Sequence, residues 1–478
     1  MSRIVAVSNR VAIPTSGKSA GGLAVGVLAA LKDCGGVWFG WSGKTTGSEP
    51  RDPEVKTIGN IDFVTIDLNR QDFSGYYNGF SNNSLWPLLH FMMGYFTFRR
   101  AHYQAYRRVN EFFARKLVSV LKPDDVIWVH DYHLFPLGAE LRRAGVEQPI
   151  GFFLHVPFPS FDVLRALPCY KALLSELAAY DVLGFQTERD LWAFHDCVTQ
   201  PEIGGGITKD GRVTAFGRTF QAKVFPIGID VDDCSSAAQA YSDNTQLLQL
   251  AASLEDKKLI IGIDRLDYSK GLALRFRGFE ALLENYPSTR GKVTYMQIAP
   301  PTRAGVRTYD DIREELEKTA GNINGRFAEM DWVPIRYLNR GYRRELIMAI
   351  LRLASVGLVT PIRDGMNLVA KEYVASQDPE NPGMLVLSTL CGAAYELQDA
   401  VLVNPYDRQS VADGLQTAIE MSLEERKERH RSMMEILRRN DIHAWSQGFV
   451  EALQTDPLSA SGSLAMPTPH TLVSGTND

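Results

Sequence analysis

The chain has 478 residues, 45% of them hydrophobic and 22% charged, with a formal net charge of −5. That length exceeds what one compact core uses and predicts two domains of a soluble globular protein. The mild charge argues against a nucleic-acid or polyanion binder, and no apolar run approaches membrane-spanning length. The five cysteines (Cys34, Cys169, Cys197, Cys234, Cys391) are scattered and in no metal-ligand spacing, as expected of reduced thiols in a cytosolic protein.

From the N terminus, Ile4-Val5-Ala6-Val7 is too short for the core of a signal peptide and reads as a first strand. A polar loop over Ser8–Ala20 and a helix over Gly22–Leu31 follow. Strand-like runs recur at Val37-Trp38-Phe39, Phe63 to Ile66, Val126 to Val129, Gly151 to Leu154 and Val182 to Phe185, with helical patterns between most of them. Such alternation predicts a parallel sheet covered on both faces. Val224 to Ile229 closes the first half, and polar Asp230–Thr245 reads as the connection. The alternation restarts with strands at Leu259 to Ile263, Val293 to Gln297, Val356 to Thr360, Met384 to Leu387 and Val401 to Val403, separated by helices such as Leu272–Asn285. The expected division is residues 1–231, residues 232–455 with the last helices packing back on the first half, and a disordered Ser/Gly/Pro/Thr tail over 456–478. Two such domains place a ligand cleft between the carboxyl ends of their sheets.

The chemistry concentrates where strands end. Arg363-Asp364-Gly365-Met366-Asn367-Leu368 follows the strand Val356–Thr360 and opens a helix. Free N–H groups and the helix dipole there suit an oxygen-rich or anionic ligand; Gly365 allows close approach, Asp364 offers a hydroxyl acceptor, and Glu372 lies about two turns on. Asp264-Arg265-Leu266-Asp267-Tyr268-Ser269-Lys270-Gly271 ends a neighbouring strand, and Arg265 with Lys270 can converge on a diphosphate. Arg10 with the Gly21-Gly22 turn is a weaker phosphate cradle. His130-Asp131-Tyr132-His133 fits sugar binding, proton transfer or a metal pair lacking a third ligand. His155 stands in a proline-stiffened loop, Val156-Pro157-Phe158-Pro159. Asp230-Val231-Asp232 matches a metal-binding Asp-x-Asp only formally. Together these segments describe a nucleotide-diphosphate-sugar transferase whose cations stabilise the leaving diphosphate.

These segments, with Leu85-Trp86-Pro87, Asp181 to Thr187 and Val403-Asn404-Pro405-Tyr406-Asp407, resemble the bacterial trehalose-6-phosphate synthases from about Ser2 to about Leu453. The resemblance implies an α/β fold of two Rossmann-like domains facing across a cleft (GT-B type). It implies retaining transfer of glucose from UDP-glucose to glucose 6-phosphate. With Arg265 and Lys270 supplying positive charge and no ligand cluster in the chain, no cofactor or metal is expected; charge and hydropathy predict no nucleic-acid or membrane partner, while a homo-oligomer stays open. By the same resemblance Arg265, Lys270 and the Gly21-Gly22 turn would bind the diphosphate. Asp364, His155 and the backbone of Gly365, Met366 and Asn367 would hold the donor glucose. Leu368, Val369, Ala370, Lys371 and Glu372 would line the nucleotide, Glu372 taking the ribose, and Tyr342 stands where relatives have Phe. Arg10, Tyr77, Trp86 and Arg303 would grip the acceptor phosphate and Asp131 the acceptor sugar. Two alternatives remain at this level: a sister transferase using ADP-glucose or an acceptor such as glycerol 3-phosphate, and a silent sugar-phosphate sensor. Intact Arg265, Lys270, Asp131 and Asp364 argue against the sensor.

Overall fold

The computed structural model describes residues 2–14, 22–47, 52–301 and 307–455. Ten strands form the first sheet: β1 (Ile4–Arg10), β2 (Gly36–Thr46), β3 (Glu54–Ile58), β4 (Ile61–Asn69), β5 (Val126–His130), β6 (Ile150–Phe153), β7 (Val182–Phe185), β8 (Gly206–Ile207), β9 (Val213–Ala215) and β10 (Arg218–Val224). Their order is β3-β4-β2-β1-β5-β6-β7-β10-β9-β8. The central strands are parallel and buried on both faces, while β3, β8 and β9 add antiparallel edges. Apolar runs without alternation, such as the fully buried Val126–His130, are what a doubly covered parallel sheet demands.

The second sheet is all parallel: β11 (Lys258–Ile263), β12 (Val293–Ile298), β13 (Ile335–Leu338), β14 (Val356–Val359), β15 (Met384–Ser388) and β16 (Val401–Val403), in the order β13-β12-β11-β14-β15-β16. This is the doubly wound Rossmann order, whose ligand crevice opens where the order reverses, between its first and fourth strands. Here those are β11 and β14, paired through Ile260↔Val356 and Ile261↔Gly357. The segments Asp264–Gly271 and Arg363–Asn367 therefore leave neighbouring strands on the two sides of the switch point.

The connecting stretch Asp230–Thr245 is largely helical. It holds a helix, Val231–Ala240, and the start of another, Thr245–Leu254. Asp230 caps the first by accepting from the Asp233 N–H at 2.9 Å, so its carboxylate is a helix cap. Val231, Cys234 and Ala238 bury one helical face against the second half. The edge strands β3 and β13 were also missed. β3 is exposed along its whole length and β13 half-exposed along most of its own, so neither carries the apolar run of a central strand.

The final helix, Ile442–Gln454, returns to the first sheet. Phe449 stacks on Trp128 at 4.8 Å and Trp445 meets Phe153 edge-on at 5.2 Å. A Cβ at Gly151 or Gly184 would lie 2.6–2.8 Å from the Phe449 ring, so both strand glycines make room for it. The two crossings between halves run side by side, joined by Ile442 N–H donating to the Ile229 carbonyl at 3.2 Å.

Candidate functional site

On the second half, Lys270 ends a tight turn, Tyr268–Lys270, which Asp267 caps by accepting from the Ser269 N–H at 3.0 Å and Gly271 leaves in a left-handed conformation (φ 62°). The Lys270 Nζ meets Asp364 Oδ2 at 2.5 Å. Burial, the largest single influence, opposes the charge on Lys270, but Asp364 and Asp264 together outweigh it and hold the ammonium above its usual value. Burial is likewise the largest single influence against ionisation of Asp364, but Lys270, with His90 and the Asn367 amide, outweighs it and keeps the carboxyl below its usual range. Both groups therefore stay charged. Asn367 (φ 80°) donates to Asp364 Oδ2 at 3.0 Å while its side-chain oxygen accepts from the Ala370 N–H, capping the helix Leu368–Ser376. One amide thus orients the carboxylate and starts the helix.

Beneath these loops lies Arg275, fully buried and not singled out from sequence. Its guanidinium donates to Asp264 at 2.5 Å, Gln297 at 3.0 Å and Thr360 at 2.9 Å, tying the carboxyl ends of β11, β12 and β14 together. Arg265 stands exposed on the loop after β11.

On the first half, Asp131 follows β5 with φ 76°, a left-handed backbone unusual for a non-glycine residue, and accepts from the His155 N–H at 3.3 Å. His155 follows β6, its Nε2 3.1 Å from His130 Nδ1. Arg10, the last residue of β1, lies 5.7 Å over the Trp41 ring, with its guanidinium against Gly43. Tyr77, on a wide π-type helical stretch over Ser74–Leu85, stacks between Phe73 at 5.3 Å and His133 at 5.7 Å. Trp86 packs at 4.0 Å on His90, which burial pulls down to about 4. His130 and His133 thus turn to different partners.

The two walls touch. Trp86 Nε1 donates to Asp267 at 3.3 Å, Tyr95 stacks on Tyr268 at 4.4 Å, and Arg363 lies 4.3 Å over Phe91 and 4.0 Å from Asp190. A Cβ on Gly365 would overlap the His155 carbonyl and come within 3.0 Å of the Val156 Cα. Gly365 therefore brings the loop against the other half of the protein, where the sequence had it approach a ligand. The contact sets Asp131, His155, Gly365, Asp364 and Lys270 side by side.

Other expected residues sit differently. Lys371 does not line the cleft with its side chain: fully buried, it donates to the Ile227 carbonyl at 2.8 Å and pairs with Glu396 at 2.5 Å, pinning the crossing between halves. A lysine four residues into an amphipathic start looks exposed in sequence; only the chain crossing above it supplies the acceptors. Met366 and Ala370 also turn their side chains into the core, and the Ala370 N–H is taken by the Asn367 cap. Leu368 and Val369 are half-buried. Burial pushes Glu372 up to about 7, with Arg344 opposing and Asp233 adding. Tyr342 lies on the loop after β13, beside Asn244, its hydroxyl accepting from Arg340 at 2.6 Å. Gly22 begins the helix Gly22–Cys34, while Gly21 and Arg303 lie outside the described residues.

A buried counter-ion pair at a Rossmann switch point, faced by a histidine and an aspartate of a second such half, is the layout of a two-domain sugar transferase. The sequence profile described as "Glycosyltransferase family 20" matches residues 6–455. The chain belongs to glycosyltransferase family 20. Its two facing halves are the GT-B fold, and it is similar throughout to other family members. Trehalose-6-phosphate synthase of Cronobacter sakazakii is 50% identical over 455 residues, covering 95% of each chain. The crystal structure of a UDP-forming α,α-trehalose-phosphate synthase from Burkholderia xenovorans in complex with glucose-6-phosphate superposes with a TM-score of 0.92 at 49% identity, covering 95% of this chain and 100% of that one. A trehalose-6-phosphate structure from E. coli, bound with UDP-2-fluoro glucose, gives 0.91 at 49% identity, covering 95% and 99%. Among the described residues no helix is long and apolar enough to cross a membrane.

Proposed function

We infer that this family 20 glycosyltransferase moves glucose from UDP-glucose to glucose 6-phosphate with retention, releasing UDP and forming α,α-trehalose 6-phosphate. The observation that carries this reading is the Lys270–Asp364 pair, held charged and buried at the switch point against His155 and Asp131. The bound sugar phosphate and UDP-sugar analogue of the two relatives support it.

In this reading the acceptor side lies in residues 1–231 and the donor side in 232–455. Asp364 accepts from donor hydroxyls while the backbone N–H groups from Gly365 to Val369 face the sugar and phosphates. As the bond from the glucosyl C1 to the diphosphate oxygen breaks, negative charge grows on the leaving group, and Lys270 with Arg265 stabilises it. Lys270 has three N–H donors, and Asp364 occupies one. The acceptor hydroxyl attacks the same face and its proton passes to the departing phosphate oxygen. Arg10, Tyr77 and Trp86 take the acceptor phosphate, Asp131 the acceptor sugar, and Glu372 the ribose. Trp86 also reaches Asp267 of the opposite wall, so an acceptor seated against it favours the closed cleft.

The test pairs UDP-, ADP- and GDP-glucose with glucose 6-phosphate, glycerol 3-phosphate and free glucose, following nucleotide release and the product by NMR. UDP-glucose with glucose 6-phosphate should turn over fastest and give an α,α-1,1 linkage. Faster turnover with another pair, or no nucleotide release from folded protein, overturns the assignment.

A further inference from the structure

Below His155, in the first half, three polar ring atoms are buried without a hydrogen-bond partner: His130 Nε2, Trp128 Nε1 and Trp445 Nε1. The rings are neighbours, His130 lying 4.6 Å from Trp128 and 6.3 Å from Trp445, centroid to centroid. Burial lowers both histidines, His155 to about 3, so both imidazoles are neutral at neutral pH and each carries one proton.

Two neutral rings joined at 3.1 Å between His130 Nδ1 and His155 Nε2 share that contact in one of two ways. If His155 Nε2–H donates, His130 must carry its own proton on Nε2, a buried N–H with no acceptor among the described residues. If His130 Nδ1–H donates, Nε2 of His130 is a buried lone pair beside the Trp128 and Trp445 rings, and no N–H is left over there. Of the two, the orphaned buried N–H is the more heavily penalised state.

We propose that His130 is a positioning residue that fixes the tautomer of His155, leaving the His155 proton on Nδ1 as a hydrogen-bond donor to the sugar bound in the cleft. Nδ1 of His155 has no partner among the described residues, while the residue's own N–H is held by Asp131. With Nε2 occupied and Nδ1 protonated, the ring has no free lone pair. It offers a proton to a sugar oxygen and cannot act as a base toward the acceptor hydroxyl. This role of His155 rests on the cleft being a glucosyl-donor site; the tautomer itself does not.

The test is a long-range proton–nitrogen correlation spectrum of ligand-free protein labelled with ¹⁵N-histidine, His155 being identified by the signals lost in His155→Asn. The expected spectrum shows a protonated Nδ1 and a bare Nε2 on His155. His130→Phe should return His155 to the commoner Nε2–H form, whereas His130→Asn, whose amide can donate from the place of Nδ1, should keep the Nδ1–H form. In turnover with UDP-glucose, His130→Phe should lower kcat/KM about ten-fold, the size of one lost hydrogen bond, and His130→Asn by less than about three-fold. A protonated Nε2 on wild-type His155 overturns the proposal, as does equal activity loss in both variants. If His130→Phe fails to fold, the wild-type spectrum decides alone. The expected tautomer without turnover of UDP-glucose would sink the donor-site reading and leave the tautomer standing.

Discussion

Gly365→Ala tests whether the contact between the walls belongs to the working state. The added Cβ would sit well inside 3.0 Å of the His155 carbonyl oxygen, at 3.0 Å from Val156 Cα and at 3.1 Å from Val156 C, all of them backbone atoms that no rotamer change can move. Nor can the loop retreat: behind it Gly392 donates to the Asp364 carbonyl at 3.3 Å, and Ala393 donates to the Met366 carbonyl at 2.8 Å. Relief must come from separating the two halves. Overpacking of this kind costs about 1–3 kcal/mol, borne here by the closed arrangement alone, which corresponds to a loss of roughly 5- to 150-fold. A displacement near 1 Å is itself enough for about a hundred-fold loss when reacting groups must align. The assay is the initial rate of UDP release with UDP-glucose and glucose 6-phosphate, beside a thermal unfolding curve. Activity should fall within that range while the unfolding midpoint stays near wild type, because neither sheet is touched. Unchanged kcat/KM would show that catalysis does not use the contact, and a collapse of the unfolding midpoint would show that the contact is part of the fold.

Lys270→Ala should lower kcat by roughly a hundred-fold or more, with a smaller effect on donor KM, because its contact strengthens as the diphosphate departs; steady-state kinetics showing only a KM change would reduce Lys270 to a binding residue. The raised value of Glu372, about 7 in the fold against 4.5 ordinarily, means that the folded state holds its proton more tightly than the unfolded chain. Its contribution to stability is thus full at low pH and is lost as pH rises through about 7. The unfolding free energy of wild type from denaturant titrations should drop between about pH 4.5 and 7 by at most about 3.4 kcal/mol, and Glu372→Gln should flatten the drop; matching pH slopes would contradict the buried acid. Turnover should persist in EDTA, since Lys270 and Arg265 supply the positive charge at the leaving group, and restoration by Mg²⁺ after loss in EDTA would show otherwise.

Much of the second half's side of the cleft was legible in the chain. Parallel strands buried on both faces must be apolar without alternation, so β5, β11 and β15 stand out, and the charged segments after β11 and β14 mark the switch point because strand ends are where such sheets bind ligands. Asp364 and Asn367 could be placed at a helix start from local chemistry alone. What tertiary structure decided are matters of partner. In sequence a buried lysine and an exposed one look the same, and only the crossing at Ile227 turns Lys371 inward. Gly365 announces a close approach, but whether to a ligand or to the His155 backbone depends on how two halves dock. Arg275 carries no local sign of burial, because the Asp264, Gln297 and Thr360 groups that neutralise and bind it come from three different strand ends. The pairing of His130 with His155 belongs to the same class: residues 25 positions apart meet because β5 and β6 are neighbours in the sheet, and hydrogen-bond partners set by sheet order leave no periodic trace in the chain.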